Sequence, residues 1–269
     1  MIIMESTRYT KAFERLKTIM DILRRDCPWD REQTFESLRY LSIEEVFELS
    51  EAVLSLDESD PATAVSLEKE LGDISLHVMF YSKIAEERGM FDIADVLHAI
   101  CDKLVARHPH ISLPLRDGSM SEVSAQQAPP KWEQVKMKEG RKSVMEGVPD
   151  ALPSMVKAVR LQEKAAGAGL DFADSAYQDM QDAYSDYVDN RDEGRFGDLL
   201  FAMVRWGAAQ GINADTALCR ANSRFKAAFG ELERRLGEQG RSVADVPRDE
   251  LGKVWKAVKQ QIDKGNCEK

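Results

Sequence analysis

The stretch FESLRYLSIEEVFELSEAVLSL, residues 35–56, predicts an amphipathic α-helix and points to the fold class. Its apolar residues recur mostly at spacings of three and four, which gives a helix one buried stripe. These apolar residues are Phe35, Leu38, Leu41, Val46, Leu49, Val53 and Leu56. The segment DESDP, residues 57–61, interrupts the pattern, because Asp and Ser favour caps and Pro61 suits a helix start.

Helical periodicity continues through the rest of the chain, and strand signals are nearly absent. A second helix carries Leu67, Leu71, Ile74, Val78, Tyr81 and Ile84 on one face. Gly89 is placed to stop it, and Asp92 can cap a third helix that ends near Pro109. A loop at 112–130 and a short helix at 131–139 follow. Further helices are expected at roughly 153–166, 173–191, 196–210, 214–237 and 249–263. The pattern predicts an all-α protein.

The two halves of the chain resemble each other. GDISLHVMFYSKIAEERG (72–89) aligns with GDLLFAMVRWGAAQG (197–211), and AICDKLVARH (99–108) aligns with CRANSRFKAAF (219–229). EGVPDALP, residues 146–153, has the composition of a linker. We therefore predict tandem duplicated helical-bundle domains, 1–145 and 146–269.

Composition narrows the class of protein. The 269 residues are 43% hydrophobic and 31% charged, as in globular proteins. A net charge of −10 argues against a general basic surface for nucleic acid. The four cysteines are far apart and form neither a zinc motif nor a disulfide framework. No apolar run is long enough to span a bilayer and no signal peptide is visible, so we expect a cytoplasmic location.

Two pairs of acidic residues suggest a metal site. Glu45 and Glu48 lie in the first helix, and Glu70 and Asp73 in the second, each pair three residues apart. Residues at this spacing share a helix face, so antiparallel packing would bring all four together. Two hard divalent cations, Mg²⁺ or Mn²⁺, would relieve their repulsion and could activate water against a phosphoanhydride. Because exposed acids are common on helices, the spacing alone does not separate this site from a solvated surface.

Several motifs surround these acids. E-E-x-x-E begins at Glu44, and E-x-x-D occupies residues 70–73. The flanking motifs are CPWDREQTFESL (27–38), DKL with RHPH (102–110) and WEQVK (132–136). Together these motifs resemble the signature of the MazG family of all-α nucleoside triphosphate pyrophosphohydrolases. The resemblance implies a mainly helical tandem protein that forms homodimers. It also implies Mg²⁺-dependent cleavage of nucleoside triphosphates at the α–β bond, giving a monophosphate and pyrophosphate.

The resemblance also assigns roles to residues. It implies that the metal ligands are Glu45, Glu48, Glu70 and Asp73, and that Glu44 acts as a base or orients them. For phosphate and base contacts it implies Lys103, Arg107, Trp132 and Lys136. Their chemistry is compatible, because Lys and Arg bind phosphate oxygens and Trp can stack on a base. Core packing is an equal alternative for Trp132. For His77 a packing or capping role is favoured over a hydrogen bond to the site.

The second half departs from the signature. Gln178, Asp179 and Asp182 replace E-E-x-x-E, and Arg195 stands in place of the first acid of E-x-x-D. Asp198 alone matches. We expect Arg195 to pair with Asp182 and Asp198 and to occupy the place of the missing ion. The C-terminal copy is therefore predicted to be degenerate.

Three functions remain open at this point. The leading one is a pyrophosphohydrolase that acts on (d)NTPs. A narrower dUTP or phosphoribosyl-ATP pyrophosphohydrolase is disfavoured by the tandem layout and by WEQVK. A non-catalytic nucleotide-binding regulatory or interaction protein is conceivable because one copy is degenerate, although the intact first copy argues against it.

Overall fold

The computed structural model describes residues 6–123, 143–170 and 173–267. Within these ranges the chain forms ten α-helices, two short 3₁₀ helices and no β-strand, which confirms the predicted all-α class. In the described part no helix is both long and apolar enough to cross a membrane. The short helix expected at 131–139 lies outside the described residues.

The helices fall into two series along the chain. The first series is α1 (Ser6–Asp26), α2 (Pro28–Glu32), α3 (Phe35–Leu54), α4 (Pro61–Glu87) and α5 (Ile93–Arg107). The second is α6 (Ser154–Gly167), α7 (Ala176–Asn190), α8 (Glu193–Ala209), α9 (Ala214–Gly237) and α10 (Arg248–Cys267). The 3₁₀ helices are Ala173–Ser175 and Val243–Asp245.

The chain divides into two compact units, Met1–Pro130 and Lys131–Lys269. Each unit contains a tightly packed pair of consecutive helices, α3 with α4 in the first and α7 with α8 in the second. That the units are copies of one domain, divided at residues 145 and 146, stays a prediction.

Local signals set the ends of α3 and α4. Thr34 caps α3, because its hydroxyl accepts from the Ser37 backbone N–H at 3.1 Å while the Ser37 hydroxyl accepts from Thr34 N–H at 2.9 Å. Helix α4 begins at Pro61, as the sequence predicts, behind the Asp60 cap. It ends before Gly89, whose φ of 65° few other residues adopt. These ends set the lengths of α3 and α4 and of the connection between them.

The core of the first unit packs α3 and α4 against α1, a helix for which the sequence yielded no prediction. Met20 of α1, Leu38 of α3 and Ile84 of α4 are each 1% exposed. Arg24 of α1 donates to the Gln33 carbonyl at 3.1 Å and pairs with Glu87 of α4. The apolar core and this arginine therefore hold the α3–α4 pair in place from one side.

In the second unit α7 packs on α8, and α9 packs on α10. Asp192 caps α8 by accepting from the Arg195 backbone N–H at 2.9 Å. A separate small core forms around Leu232, Leu236 and Val246. Helix α8 has 17 residues and α4 has 27, so the second pair is the shorter one.

Candidate metal centre

Helices α3 and α4 form an antiparallel hairpin that gathers acidic side chains on one face. Ser42 of α3 contacts Tyr81 of α4, whereas Glu45, one turn later in α3, lies beside Asp73, two turns earlier in α4. Glu45, Glu70 and Asp73 each offer a carboxylate oxygen, and these oxygens lie within 4.8 Å of one another. All three side chains are half-buried. Three of the four acids selected from the sequence thus share one site.

Glu48, the fourth predicted ligand, lies outside this three-residue group and is exposed. Desolvation, together with the negative charges of Glu70 and Glu44, raises the pKa of Glu48, so its carboxylate is close to the group. Glu44 is also exposed and contributes to the raised pKa of Glu45. The ligand role of Glu48 and the orienting role of Glu44 stay predictions.

The site concentrates negative charge. Desolvation raises the pKa of Glu45, and repulsion from Asp73 and Glu48 adds to it. Within the described part of the chain, no lysine or arginine pairs with Glu45, Glu70 or Asp73. The basic side chain in contact is that of His77, whose Nε2 lies 4.0 Å from Glu45 Oε1. Burial lowers the pKa of His77, which favours its neutral form. The protein itself therefore leaves the charge of these acids largely uncompensated.

The donor set fits a hard divalent cation. Glu70 Oε2 is buried and has no hydrogen-bond partner among the described residues. A buried carboxylate oxygen is costly unless a hydrogen bond or a cation satisfies it. Oxygen-only ligands with no lysine or arginine among them are the type that Mg²⁺ and Mn²⁺ prefer. The residues present are suited to hold such an ion.

A polar cluster flanks the acids. Ser42 Oγ lies 2.8 Å from His77 Nδ1 and 2.9 Å from Tyr81 Oη. The sequence favoured packing or capping for His77, and the structure instead gives its ring polar contacts. The roles of Ser42 and Tyr81 were missed. Helical spacing was the available signal, because Ser42 precedes Glu45 by three residues and Tyr81 follows His77 by four.

The predicted phosphate and base contacts are only partly described. Lys103 and Arg107 lie one turn apart on α5, the lysine exposed and the arginine half-buried. Their role as phosphate ligands stays a prediction. Trp132 and Lys136 lie outside the described residues.

In the α7–α8 pair of the second unit, an arginine binds the residue that corresponds to Glu45. Asp179 Oδ2 accepts from Arg205 Nη1 at 2.9 Å and from Ser175 Oγ at 3.1 Å. Arg205 was missed in the sequence. It follows Asp198 by seven residues, the position that Phe80 holds relative to Asp73 in the first hairpin. Asp179 is thus already paired with a permanent cation.

The prediction that Arg195 pairs with Asp182 and Asp198 is wrong. Its Nη1 donates to Asp192 Oδ2 at 2.7 Å, rather than to Asp182 or Asp198. The reason is local, because Asp192 caps α8 and its carboxylate already faces the first turn, where Arg195 lies. Asp182 accepts from Gln178 Nε2 at 2.8 Å, and Asp198 is exposed. Across the described residues, the three-carboxylate group of α3 and α4 is the one arrangement of this kind.

Comparisons with known proteins agree with this geometry. A model of the MazG nucleotide pyrophosphohydrolase domain matches residues 33–112, which include α3, α4 and α5. The chain is 35% identical over 266 residues to the nucleoside triphosphate pyrophosphohydrolase of Escherichia coli K12, covering 92% of this chain and 97% of that protein. It is 33% identical over 258 residues to the nucleoside triphosphate pyrophosphohydrolase/pyrophosphatase MazG of Thermotoga maritima, covering 92% and 95%.

A partial match is found in the nucleoside triphosphate pyrophosphohydrolase of Mycobacterium tuberculosis, at 37% identity over 155 residues, covering 56% of this chain and 44% of that protein. The two longer alignments span nearly the whole of both relatives, and the domain match contains the carboxylate hairpin. The resemblance noted in the sequence is thereby confirmed. The chain belongs to the MazG nucleotide pyrophosphohydrolase family.

Proposed function

We propose that this protein is a Mg²⁺-dependent nucleoside triphosphate pyrophosphohydrolase, which cleaves (d)NTPs between the α and β phosphates. The observation that carries the proposal is the α3–α4 carboxylate group, in which a buried oxygen of Glu70 has no protein partner among the described residues. The family match over the same helices and the printed names of the full-length relatives support it.

In this proposal Glu45, Glu48, Glu70 and Asp73 hold the cation, with Glu44 orienting the site. A bound divalent cation would neutralise phosphate charge and lower the pKa of a water molecule for attack on phosphorus. The half-buried hairpin face limits access of bulk water to Glu45 and Asp73. Lys103 and Arg107 would bind phosphate oxygens, and Trp132 and Lys136 would contribute to substrate binding.

The C-terminal domain, 146–269, is proposed to be degenerate and the N-terminal domain, 1–145, to be the active one. The paired Asp179 and the replacement of an acid by Arg195 support this assignment. In the second unit a cation would have to displace an arginine from Asp179 before it could bind.

We further propose a homodimer. Six large hydrophobic side chains on α3 and α4 each expose half or more of their surface: Tyr40, Val46, Phe47, Val53, Val65 and Leu71. Apolar surface of this kind marks association sites. Sedimentation equilibrium should give twice the mass of the chain.

The net charge of −10 supports the proposal that the protein does not bind nucleic acid. We also propose a cytoplasmic location.

A nucleotide panel tests the activity. The purified full chain is incubated with ribo- and deoxynucleoside triphosphates and Mg²⁺, and pyrophosphate and orthophosphate are measured separately. Pyrophosphate as the primary product, with the matching monophosphate, is expected. Primary release of orthophosphate would refute α–β cleavage. Turnover confined to dUTP or phosphoribosyl-ATP would favour a narrower enzyme, and binding without turnover would favour a regulatory protein.

A further inference from the structure

The polar cluster of Ser42, His77 and Tyr81 has no part in the function proposed above. It lies on the same face of the α3–α4 hairpin as the acids, one turn from Glu45 in α3 and one turn from Asp73 in α4. The His77 side chain is 12% exposed, so its ring is held between the two helices. A buried ring with both nitrogens near polar atoms has a defined orientation.

The position of the Ser42 hydroxyl proton determines which nitrogen of His77 carries the ring proton. Ser42 carries one hydroxyl proton and has three neighbours, the Leu38 carbonyl at 3.0 Å, His77 Nδ1 and Tyr81 Oη. The Leu38 carbonyl already accepts the helical bond of the residue four positions later, so it does not require this proton. Two arrangements satisfy every group, and Tyr81 donates to Ser42 in both. Ser42 donates either to the Leu38 carbonyl, with His77 Nδ1–H donating to Ser42, or to His77 Nδ1.

The second nitrogen of the ring faces the metal site. When Nδ1 accepts, a neutral imidazole carries its proton on Nε2, and this atom lies 4.0 Å from Glu45 Oε1. The other tautomer would direct a lone pair at a carboxylate oxygen, which is repulsive. The separation is about 1 Å beyond a hydrogen bond, so the bond requires the Glu45 side chain to rotate toward the ring.

The second unit carries other residues in place of this cluster. At the same spacings from Asp179 and Asp198 stand Ala176, Ala202 and Trp206. Ala176 is fully buried, and Trp206 packs against the ring of Tyr177. The serine, the histidine and the tyrosine are thus all absent from the half that lacks the complete acid set.

We propose that Ser42 and Tyr81 orient His77 so that its Nε2–H donates to Glu45 and holds that carboxylate ready for the cation. His77 is then a positioning residue that acts through Glu45. Its effect on turnover rests on the proposed function, whereas its hydrogen bonds and its effect on cation binding do not.

Binding of Mn²⁺ to the full chain without nucleotide, followed by electron paramagnetic resonance of the free ion, tests the proposal. His77→Ala should weaken Mn²⁺ affinity by about 10- to 100-fold, the usual cost of losing a partner of a metal ligand. His77→Gln should recover most of the loss, because its amide N–H lies close to the position of Nε2. His98→Ala removes an exposed histidine of α5 and should leave the affinity unchanged.

Two results would overturn the proposal: a wild-type affinity in His77→Ala, or a His77→Gln variant as weak as His77→Ala. If His77→Ala does not fold, Tyr81→Phe removes one hydroxyl and should still weaken Mn²⁺ binding, and unchanged binding would count against the relay. Nitrogen-15 NMR of the wild type should show the proton of His77 on Nε2, and a proton on Nδ1 would contradict it. None of these measurements requires turnover. They therefore test the role of His77 whether or not the protein hydrolyses nucleoside triphosphates.

Discussion

The two helix pairs, α3–α4 and α7–α8, differ in what compensates the charge of their acids. In the first pair Glu45, Glu70 and Asp73 meet with no arginine or lysine paired to them in the described structure. In the second pair Arg205 binds Asp179. Like charges held together favour an external cation, whereas an internal arginine removes that need. The uncompensated charge of the first pair is therefore the feature that fits it for metal chemistry.

The ion pair between Arg205 and Asp179 in the second helix pair is partly exposed to solvent. The side chains of Arg205 and Asp179 are 29% and 36% exposed, and a pair of this kind stabilises a protein by no more than about 1 kcal/mol. The difference between the helix pairs therefore depends on a few side chains, which makes it accessible to substitution.

The largest expected effect comes from removing one acid from each helix pair. Glu70→Ala should lower pyrophosphate release by at least about 100-fold, because it removes a predicted metal ligand. Asp198→Ala, the matched change in the second pair, should leave activity within about twofold. Steady-state rates with a saturating nucleoside triphosphate would measure both. Loss of activity in Asp198→Ala with retention in Glu70→Ala would move the active site to the second unit.

Two substitutions in the second helix pair should give it a cation site of its own. Arg195→Glu restores the missing acid, and Arg205→Phe frees Asp179 by introducing the residue type found at position 80. The double variant should bind more Mn²⁺ per chain than the wild type, with the first-unit site unchanged, as measured by isothermal titration. An unchanged stoichiometry would show that more than these two arginines separates the two helix pairs.

The smallest expected effect is on thermal stability. The pKa values of Glu45 and Glu48 are raised above the usual 4.5, so the folded chain holds these protons more tightly than the unfolded chain. Without metal, the stability contributed by these groups is present below pH 4.5 and is lost as the pH rises through the raised values. Mg²⁺ binds the deprotonated acids and should offset this loss.

The midpoint of thermal unfolding should therefore rise by on the order of 3 °C with excess Mg²⁺ at pH 7.5, and by less at pH 5. Differential scanning calorimetry would measure the shift, with Glu70→Ala as the control. An equal shift in Glu70→Ala would show that the stabilising ion binds elsewhere.

Features that depend on local spacing could be predicted from the sequence. The apolar stripe of α3, the start of α4 at Pro61 and the meeting of Glu45, Glu70 and Asp73 follow from helical periodicity and one hairpin connection. The partner of Arg195 was wrong because a cap at Asp192, set by the start of α8, competes with acids farther along the helices.

Other contacts depend on how side chains from two helices meet, which spacing does not specify. Arg205 reaches Asp179 across the second pair, and His77 binds Ser42 across the first. Each of these residues is unremarkable within its own helix, and only the packed pair brings the partners within hydrogen-bonding distance. Such contacts are where sequence analysis was least informative.

The position of a bound cation would show which helix pair forms the metal site. Crystals of the full chain grown with Mn²⁺ would be measured near the manganese absorption edge, and the anomalous difference density would locate each ion. The expected peak lies among the carboxylates of Glu45, Glu70 and Asp73, with no peak beside Asp179 and Asp198. A peak at Asp179 and Asp198, with none at the first group, would contradict the assignment of the metal site to the α3–α4 hairpin.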